Sequence, residues 1–247
     1  MDASVKDLEF YQEREKISLA CRVMAMEGIV EGTLGHISMR VGEDLMLIRS
    51  RGPEDCGLFF SQPEEICLFD FSGNPREEDR GYAKPVELPL HGETLRRRPE
   101  VNVVVHAHPP AVLAATLANL QLLPAFGSYG ISANQLASEG IPIFSRSILI
   151  SSKEIADQML DTMGDHRACV LKGHGITVVG TYVEEALLTA LNVNTLAKVA
   201  LEVAKARATL KPIPPADQAL VPRTSKFSPE SGWKFYEAKL RRYGYDK

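Results

Sequence analysis

The chain has 247 residues, of which 45% are apolar and 24% are charged, and its 28 basic and 32 acidic residues give a net charge of −4. These values are ordinary for a soluble globular protein, and they exclude a collagen-like or wholly disordered chain. The slightly acidic balance argues against a nucleic-acid partner, which would require a basic surface. We therefore predict one folded α/β domain that does not bind nucleic acid.

Cysteine spacing and the N-terminal segment indicate the compartment. The four cysteines form no C-x-x-C pair and no dense disulfide framework, which is typical of a reducing environment. The first sixteen residues are charged and lack the apolar stretch of a signal peptide. No uninterrupted apolar run approaches the roughly 20 residues that cross a bilayer. The sequence thus predicts a soluble cytoplasmic protein with no membrane partner.

Hydrophobic periodicity in the N-terminal half predicts helices and short strands. Apolar residues at helical spacing indicate a long amphipathic first helix, and short apolar segments bounded by turn signals indicate strands. In chain order, the predicted elements are a helix at 5–27, strands at 37–41, 44–48 and 66–71, and a helix at 90–98. A charged, exposed loop is expected at 76–80.

The C-terminal half continues the alternation of strands and helices. In chain order, we predict a strand at 101–105, a helix at 110–120, a strand region at 143–150, a helix near 152–163, strands at 168–171 and 176–179, and a long helix at 183–210. A Pro-rich connector follows, and Trp233, Tyr236, Leu240 and Tyr243 recur at helix-like spacing in the tail.

Histidines provide the clearest chemical signal. His106 and His108 form a His-x-His pair at the end of an apolar strand, where alternate side chains project to one face and suit ligation of a single metal ion. Taken alone the motif is weak, because two unrelated histidines explain it more often. His174 lies between two glycines, which let the backbone approach another group closely, although an exposed hairpin histidine would give the same pattern.

Glu87 adds a carboxylate at the start of the predicted helix that follows it. A carboxylate at that position is more often a simple helix-terminal charge. In this chain, however, it precedes His106 by 19 residues and belongs to an ordered series of Glu, His-x-His and Gly-His-Gly. The combination is more informative than any one of its members.

Together these residues resemble the class II aldolase and adducin family. The segments that carry the resemblance extend over most of residues 5–210 and are Gly35-His36-Ile37-Ser38-Met39-Arg40, Glu87-Leu88-Pro89-Leu90-His91, Arg98-Pro99 through Val105-His106-Ala107-His108-Pro109, and Gly173-His174-Gly175. The resemblance implies an α/β fold, an α/β/α sandwich around a mostly antiparallel sheet. It also implies a homotetramer or larger homo-oligomer with sites between subunits. We expect a catalytic domain at 1–210 and a tail at 211–247 that completes the same domain or a neighbouring subunit's site.

The resemblance also implies one divalent metal ion per chain, bound by His106, His108 and His174. Glu87 corresponds to the acidic site residue of the family, which serves as acid/base and can also reach the metal. Three histidines leave at least one coordination position open, as in most catalytic sites. Because imidazole suits several metals, Zn2+, Mn2+ and Fe2+ remain alternatives.

Three segments depart from the pattern of sugar-phosphate aldolases in this family, which hold the phosphate with hydroxyl and backbone donors. The corresponding segments are Gly35-His36, Ile48-Arg49-Ser50-Arg51-Gly52 and Pro85-Val86. Arg49 and Arg51 offer planar forks that suit a carboxylate, although solvated strand arginines are an equally open alternative. The changes favour a planar carboxylate substrate over a phosphate.

The pattern Gly-His-Ile-Ser-x-Arg is similar to the family branch that decarboxylates hydroxylated aromatic acids. This resemblance implies metal-dependent, non-oxidative decarboxylation of a small aromatic carboxylate similar to 3,4-dihydroxyphthalate, in aromatic-compound catabolism. Glu87 is the first candidate for catalytic proton transfer, and His91 is the second, although a helix-surface role for His91 is an equally open alternative. The expected substrate-binding residues are His36, Ser38, Arg49 and Arg51. The alternatives are an aldolase or epimerase for a sugar or sugar phosphate and a noncatalytic, adducin-like module, which the intact histidine set disfavours.

Overall fold

Seven short apolar segments form one sheet in the computed structural model, which describes residues 8–222 and 229–245. Within these residues the strands are β1 (His36–Gly42), β2 (Leu45–Arg49), β3 (Ile66–Asp70), β4 (Val103–Ala107), β5 (Ile143–Phe144), β6 (Ala168–Leu171) and β7 (Gly175–Gly180). The helices are α1 (Tyr11–Met26), α2 (Leu88–Arg97), α3 (Pro110–Leu117), α4 (Ile131–Glu139), α5 (Lys153–Met163), α6 (Val183–Lys205), α7 (Pro215–Gln218) and α8 (Pro229–Tyr243). Two single-turn 3-10 helices lie at Leu58–Phe60 and Pro63–Glu65.

The strands lie in the order β3-β2-β1-β4-β7-β6-β5. Every neighbouring pair is antiparallel except β5 and β6, which are parallel. The register places His36 of β1 opposite His106 of β4, and His106 opposite Thr177 of β7. One row across the middle of the sheet therefore carries two histidines on adjacent strands.

Helices cover both faces of the sheet. Alternation along β4 sends Val103 and Val105 into a core shared with α1, α3, α6 and α8, and sends Val104 into a second core shared with α2 and α5. All five residues of β4 are buried, as expected for a central strand that is covered on both faces. The predicted α/β/α sandwich around a mostly antiparallel sheet is confirmed.

The strand region predicted at 143–150 is wrong over most of its length, because only Ile143 and Phe144 pair with β6. Beyond them the chain leaves the sheet, and the Ser147 hydroxyl donates a hydrogen bond to the Lys172 carbonyl. The backbone N–H of Ile150 then bonds to Glu87. This apolar segment thus serves the site and does not extend the sheet.

Helix boundaries differ from the predicted ones at both ends of the chain. α1 begins at Tyr11, after Phe10 in the left-handed region, and residues 5–7 of the predicted helix lie outside the described residues. α6 ends at Lys205 and not near 210, because Arg207 has a positive φ of 56° that a continuing helix does not allow. The short α4, which no strong apolar periodicity indicated, packs against α6 through Leu136 and neighbouring small residues.

The C-terminal helix α8 packs on α1 and α6 of its own chain. Trp233 and Leu240 are buried in the same core as α1, and Lys239 pairs with Glu27 at 2.5 Å. A contribution of the tail to a neighbouring subunit's site stays a prediction. Among the described helices, α6 is long and apolar enough to span a membrane, but half of its most apolar window is buried inside this fold, as in a core helix.

Candidate metal centre

Four residues from three parts of the fold lie close together at one end of the central strands. His106 is on β4, His108 follows that strand, and His174 is in the turn between β6 and β7. Glu87 immediately precedes α2. Because β4 pairs with β7, the turn that carries His174 lies beside the end of β4. Each residue offers one ligand atom, and these atoms all lie within 4.8 Å of one another.

The side chains converge with their potential ligand atoms inward. His106 Nε2 is 3.1 Å from Glu87 Oε2 and 2.7 Å from His108 Nε2. His174 Nε2 is 3.5 Å from the same Glu87 oxygen. The three imidazole rings are mutually edge-on, with centroids 4.7 to 5.0 Å apart. This arrangement directs several lone pairs toward a single point.

Backbone groups orient two of these side chains. The Nδ1 of His106 lies 3.0 Å from the carbonyl oxygen of Ile176, so a proton on Nδ1 leaves Nε2 free to act as a ligand. The other oxygen of Glu87, Oε1, accepts a hydrogen bond of 2.8 Å from the N–H of Ile150. The Oε2 oxygen therefore remains available as a ligand atom at the candidate metal centre. Neither Ile150 nor Ile176 carried a sequence signal, because both act through the backbone.

The residues fit a divalent metal ion. Both ring nitrogens of His174 are buried and have no hydrogen-bond partner among the described residues. Such an orphaned polar atom costs about 1–3 kcal/mol, which coordination of a cation would offset. Three imidazoles and a carboxylate are also a usual donor set for zinc, manganese or iron. The cluster could thus hold one ion and leave a coordination position for another oxygen ligand.

Protonation states in the cluster agree with ligand roles. Burial alone would raise the pKa of the Glu87 carboxyl, but the imidazoles of His106 and His174 outweigh it and hold that pKa far below its usual range. Burial, together with His106 and His174, lowers the pKa of His108 to about 3. An ionised carboxylate and a neutral imidazole are the forms that bind metals.

A second group of polar residues lies directly behind the first. The ring of His36 stacks on that of His106, with centroids 5.1 Å apart and planes at 27°. His36 Nδ1 is 2.8 Å from His91 Nε2, and His91 Nδ1 is 2.7 Å from the Ser38 hydroxyl. Burial, with the neighbouring His106, lowers the pKa of His91 to about 3. The structure thus brings His36, Ser38 and His91 together beside the candidate metal-binding residues.

Arg49 does not lie with this cluster, and the expectation that it binds substrate loses its structural basis. Ile48, which precedes Arg49 on β2, is paired with Ser38 on β1 and shares its face, so Arg49 is on the opposite face of the sheet. There its side chain is 1% exposed, and the guanidinium pairs with Asp55 and lies 3.6 Å from Glu65. Asp55, which carried no sequence signal, is the structural partner of Arg49.

Arg51 lies closer to the centre, in the loop after β2. Its Nη2 donates a hydrogen bond of 2.6 Å to the Thr33 carbonyl, and its side chain is 44% exposed. Its Nε lies 3.9 Å from Asp55, and its positive charge is near enough to His108 to contribute to the lowered pKa of that imidazole. Val86, next to Glu87, is 69% exposed and presents an apolar surface at the same edge.

Comparison with known proteins gives one family, and the relatives of 39–44% identity share one name. The family model described as Class II Aldolase and Adducin N-terminal domain matches residues 15–201. A relative from Arthrobacter keyseri, named 3,4-dihydroxyphthalate decarboxylase, is 44% identical over 92% of this chain and 93% of its own length. A relative of the same name from Terrabacter sp. (strain DBF63) is 39% identical over 92% and 97%, respectively.

Solved structures agree with the fold. An aldolase II superfamily protein from Pseudomonas syringae superposes with a TM-score of 0.82 at 17% identity, and the match covers 99% of both chains. The family model matches well over half of the chain and includes the Glu87, His106, His108 and His174 cluster. On these grounds, the chain belongs to the class II aldolase and adducin N-terminal domain family.

Proposed function

We propose that this chain catalyses the metal-dependent, non-oxidative decarboxylation of a hydroxylated aromatic dicarboxylate, with 3,4-dihydroxyphthalate as the lead substrate. The observation that carries the proposal is its identity of 39–44% to relatives of that name over 85–97% of their length. The intact cluster of three histidines and one glutamate supports a catalytic role over a noncatalytic, adducin-like one.

His106, His108 and His174 hold the divalent ion in this proposal, with Zn2+, Mn2+ and Fe2+ as candidates. Glu87 either completes the set or stays free for proton transfer. When bound, the metal would act as a Lewis acid that stabilises negative charge on a substrate oxygen. The lowered pKa of His108 supports ligation, because that imidazole is neutral without having to lose a proton.

The reaction breaks the bond between a ring carbon and its carboxylate and releases CO2, and the same carbon gains one proton. Glu87 is the first candidate for relaying that proton, which its ionised carboxylate would first accept from solvent. Its Oε1 is fixed by Ile150, and its Oε2 faces the open centre, so the carboxylate is held in one orientation. A fixed acid–base group within hydrogen-bond reach accelerates such transfers by roughly 100- to 10,000-fold.

Substrate recognition is assigned to Arg51, with the exposed apolar side chain of Val86 against the ring, since the neighbouring Pro85 is buried. A guanidinium can pair with the second ring carboxylate through two parallel hydrogen bonds. Neither proline nor valine can donate a side-chain hydrogen bond to a phosphate, and the exposed valine can pack on a flat ring. This arrangement agrees with loss of the hydroxyl donors that sugar-phosphate aldolases of the family use.

We further propose a cytoplasmic homotetramer or larger homo-oligomer, with the centre at a subunit interface and the 211–247 tail completing the 1–210 catalytic domain. Three large apolar side chains flank the metal-binding residues and are exposed in a single chain. Val86 adjoins Glu87, Leu149 adjoins Ile150, and Leu117 lies near Gly173. Clustered exposed apolar side chains of this kind commonly mark protein interfaces.

A direct assay tests the proposed reaction. The metal-loaded protein is incubated with 3,4-dihydroxyphthalate, and CO2 and the dihydroxybenzoate product are both measured. We expect one CO2 per product molecule, and none after removal of the metal by a chelator. Rapid cleavage of L-fuculose 1-phosphate, with no CO2 from aromatic diacids, would instead establish an aldolase.

A further inference from the structure

Ser38, His91 and His36 form a buried hydrogen-bonded chain that ends against a metal-binding residue. Ser38 and His36 are two residues apart on one face of β1, and His91 reaches both from α2. Ser38 and His91 are fully buried, and His36 is 6% exposed. The order of contacts is Ser38, His91, His36 and then, by ring stacking, His106.

His91 has no ring nitrogen left for a substrate. Its Nδ1 is occupied by the Ser38 hydroxyl and its Nε2 by His36 Nδ1. A residue that transfers a proton must bring a nitrogen within hydrogen-bond reach of the reacting group. His91 would have to abandon one of two buried hydrogen bonds to do so, and a buried polar atom left unpaired costs about 1–3 kcal/mol.

His36 has the complementary arrangement. Its Nδ1 is engaged by His91, whereas its Nε2 has no hydrogen-bond partner among the residues that the structure describes. The ring lies against His106, so the free nitrogen belongs to a side chain that adjoins the metal-binding residues. Of the two histidines, only His36 can offer a ring nitrogen to a bound ligand without breaking the chain.

We propose that Ser38 and His91 are positioning residues, and that they hold His36 so that its Nε2 contacts an oxygen of the bound aromatic dicarboxylate. The hydrogen bond at Nδ1 decides both the ring orientation and the tautomer of His36, and hence whether Nε2 donates or accepts. This assignment replaces direct proton transfer by His91. The kinetic test of this assignment rests on the proposed decarboxylation. A second test measures the imidazole tautomer and does not depend on activity.

The kinetic test combines variants of the two histidines. His91→Gln is chosen because its amide can hydrogen-bond to His36 but cannot exchange a proton, and His91→Leu can do neither. If His91 acts through His36, we expect kcat to fall at least about 10-fold in His91→Leu and to recover mostly in His91→Gln, with metal content unchanged. In a His36→Asn background, His91→Leu should then cost less than about 3-fold.

Equal losses of kcat in His91→Gln and His91→Leu would overturn the proposal, because they would show that His91 itself must exchange a proton. A full further loss of kcat from His91→Leu in the His36→Asn background would also overturn the proposal. Thermal melting identifies variants that fail to fold, and Ser38→Ala, a smaller change, then tests the same chain. His166→Gln is the control histidine, since within the described part of the chain its Nδ1 hydrogen-bonds to the Met163 carbonyl at the end of α5, away from this hydrogen-bonded chain.

The second readout does not depend on activity. Nitrogen-15 spectra of histidine-labelled, zinc-loaded protein report which ring nitrogen of each imidazole carries the proton. We expect a single tautomer for His36 in the unaltered protein and an averaged one in His91→Leu and Ser38→Ala, with no change in His166→Gln. An unaltered His36 signal in the first two variants would refute the proposal. Absence of CO2 release would refute the proposed function alone.

Discussion

At the scale of single residues, the two oxygens of the Glu87 carboxylate have different partners. One oxygen is held by the Ile150 N–H, and the other lies 3.1 Å from His106 Nε2. Glu87→Gln keeps the shape and can retain some of this hydrogen bonding, but it cannot carry a proton. We expect metal content to be retained and kcat to fall roughly 100-fold or more. Near-normal turnover would move proton transfer to His36 or to a bound water.

Metal binding by the three histidines is testable without any substrate. His106→Ala and His108→Ala each remove a ligand, so we expect metal affinity to fall by more than the roughly 10- to 100-fold that follows loss of an outer partner. Metal per chain is measured by elemental analysis after dialysis against a weak chelator. His166→Ala should keep full occupancy. Full occupancy in the His106 and His108 double variant would contradict the assignment.

Arg51 and Arg49 form a natural pair for comparison, since only Arg51 lies near the centre. If Arg51 pairs with a ring carboxylate, Arg51→Ala should lower kcat/KM. The loss should correspond to about 2–5 kcal/mol of transition-state stabilisation, because the substrate charge loses its partner. Arg51→Lys should be nearly as harmful, since an ammonium cannot form the two parallel bonds. Kinetics at constant metal content measure both. Wild-type kcat/KM in Arg51→Ala would exclude the contact.

At the scale of elements, a buried ion pair fastens α1 to β3. Arg14 on α1 is fully buried and donates to the Ile66 carbonyl and, at 2.6 Å, to Glu77. Glu77 also accepts from the Leu68 N–H and from Arg80. Glu77→Gln would leave the Arg14 charge uncompensated, so the free energy of unfolding should fall by about 3–5 kcal/mol. Urea denaturation measures this, with the exposed Glu78→Gln as the matched control.

The same carboxylate makes stability depend on pH. Burial would raise the pKa of Glu77, but Arg14 and Arg80 outweigh it and lower that pKa from its ordinary value of 4.5. A depressed pKa in the folded state contributes stability that is present above pH 4.5 and is lost as the pH falls through the folded value. Unfolding free energy of the unaltered protein should therefore decline below about pH 4.5, more steeply than in Glu77→Gln. Parallel pH profiles would contradict this role.

At the scale of the whole molecule, the proposed assembly predicts a multiple of the chain mass. Light scattering should give four chains or more. Leu149→Asp places a charge among the exposed apolar residues beside the centre, so it should reduce both the mass and kcat. Leu220→Asp, at an 82% exposed position after α7, should change neither. A monomer with full activity would refute a site shared between subunits.

The local sequence pattern by itself determined much of the secondary structure of this protein. Strand alternation and helical periodicity placed most of the elements, since both depend only on which neighbours along the chain are apolar. The strand at 101–105 was shifted by two residues, and α4 was missed because its buried face consists mainly of small residues. The four residues of the candidate metal centre were also named from sequence, through the family resemblance that the Glu, His-x-His and Gly-His-Gly segments carry together, and the structure brings them into one cluster. Metal binding by them stays a prediction.

Only the tertiary structure decided which polar side chains act together. Arg49 and Arg51 look equivalent in sequence, but the pairing of β1 with β2 turns Arg49 away from the centre and gives it Asp55 as a partner. His91 likewise looks like a free helix-surface histidine, yet the packing of α2 on the sheet encloses it between Ser38 and His36. His91 is 53 and 55 residues away from Ser38 and His36 along the chain, and the face that Arg49 takes is decided by strand pairing. The selection of partners therefore depends on sheet register and helix packing, which local sequence does not encode.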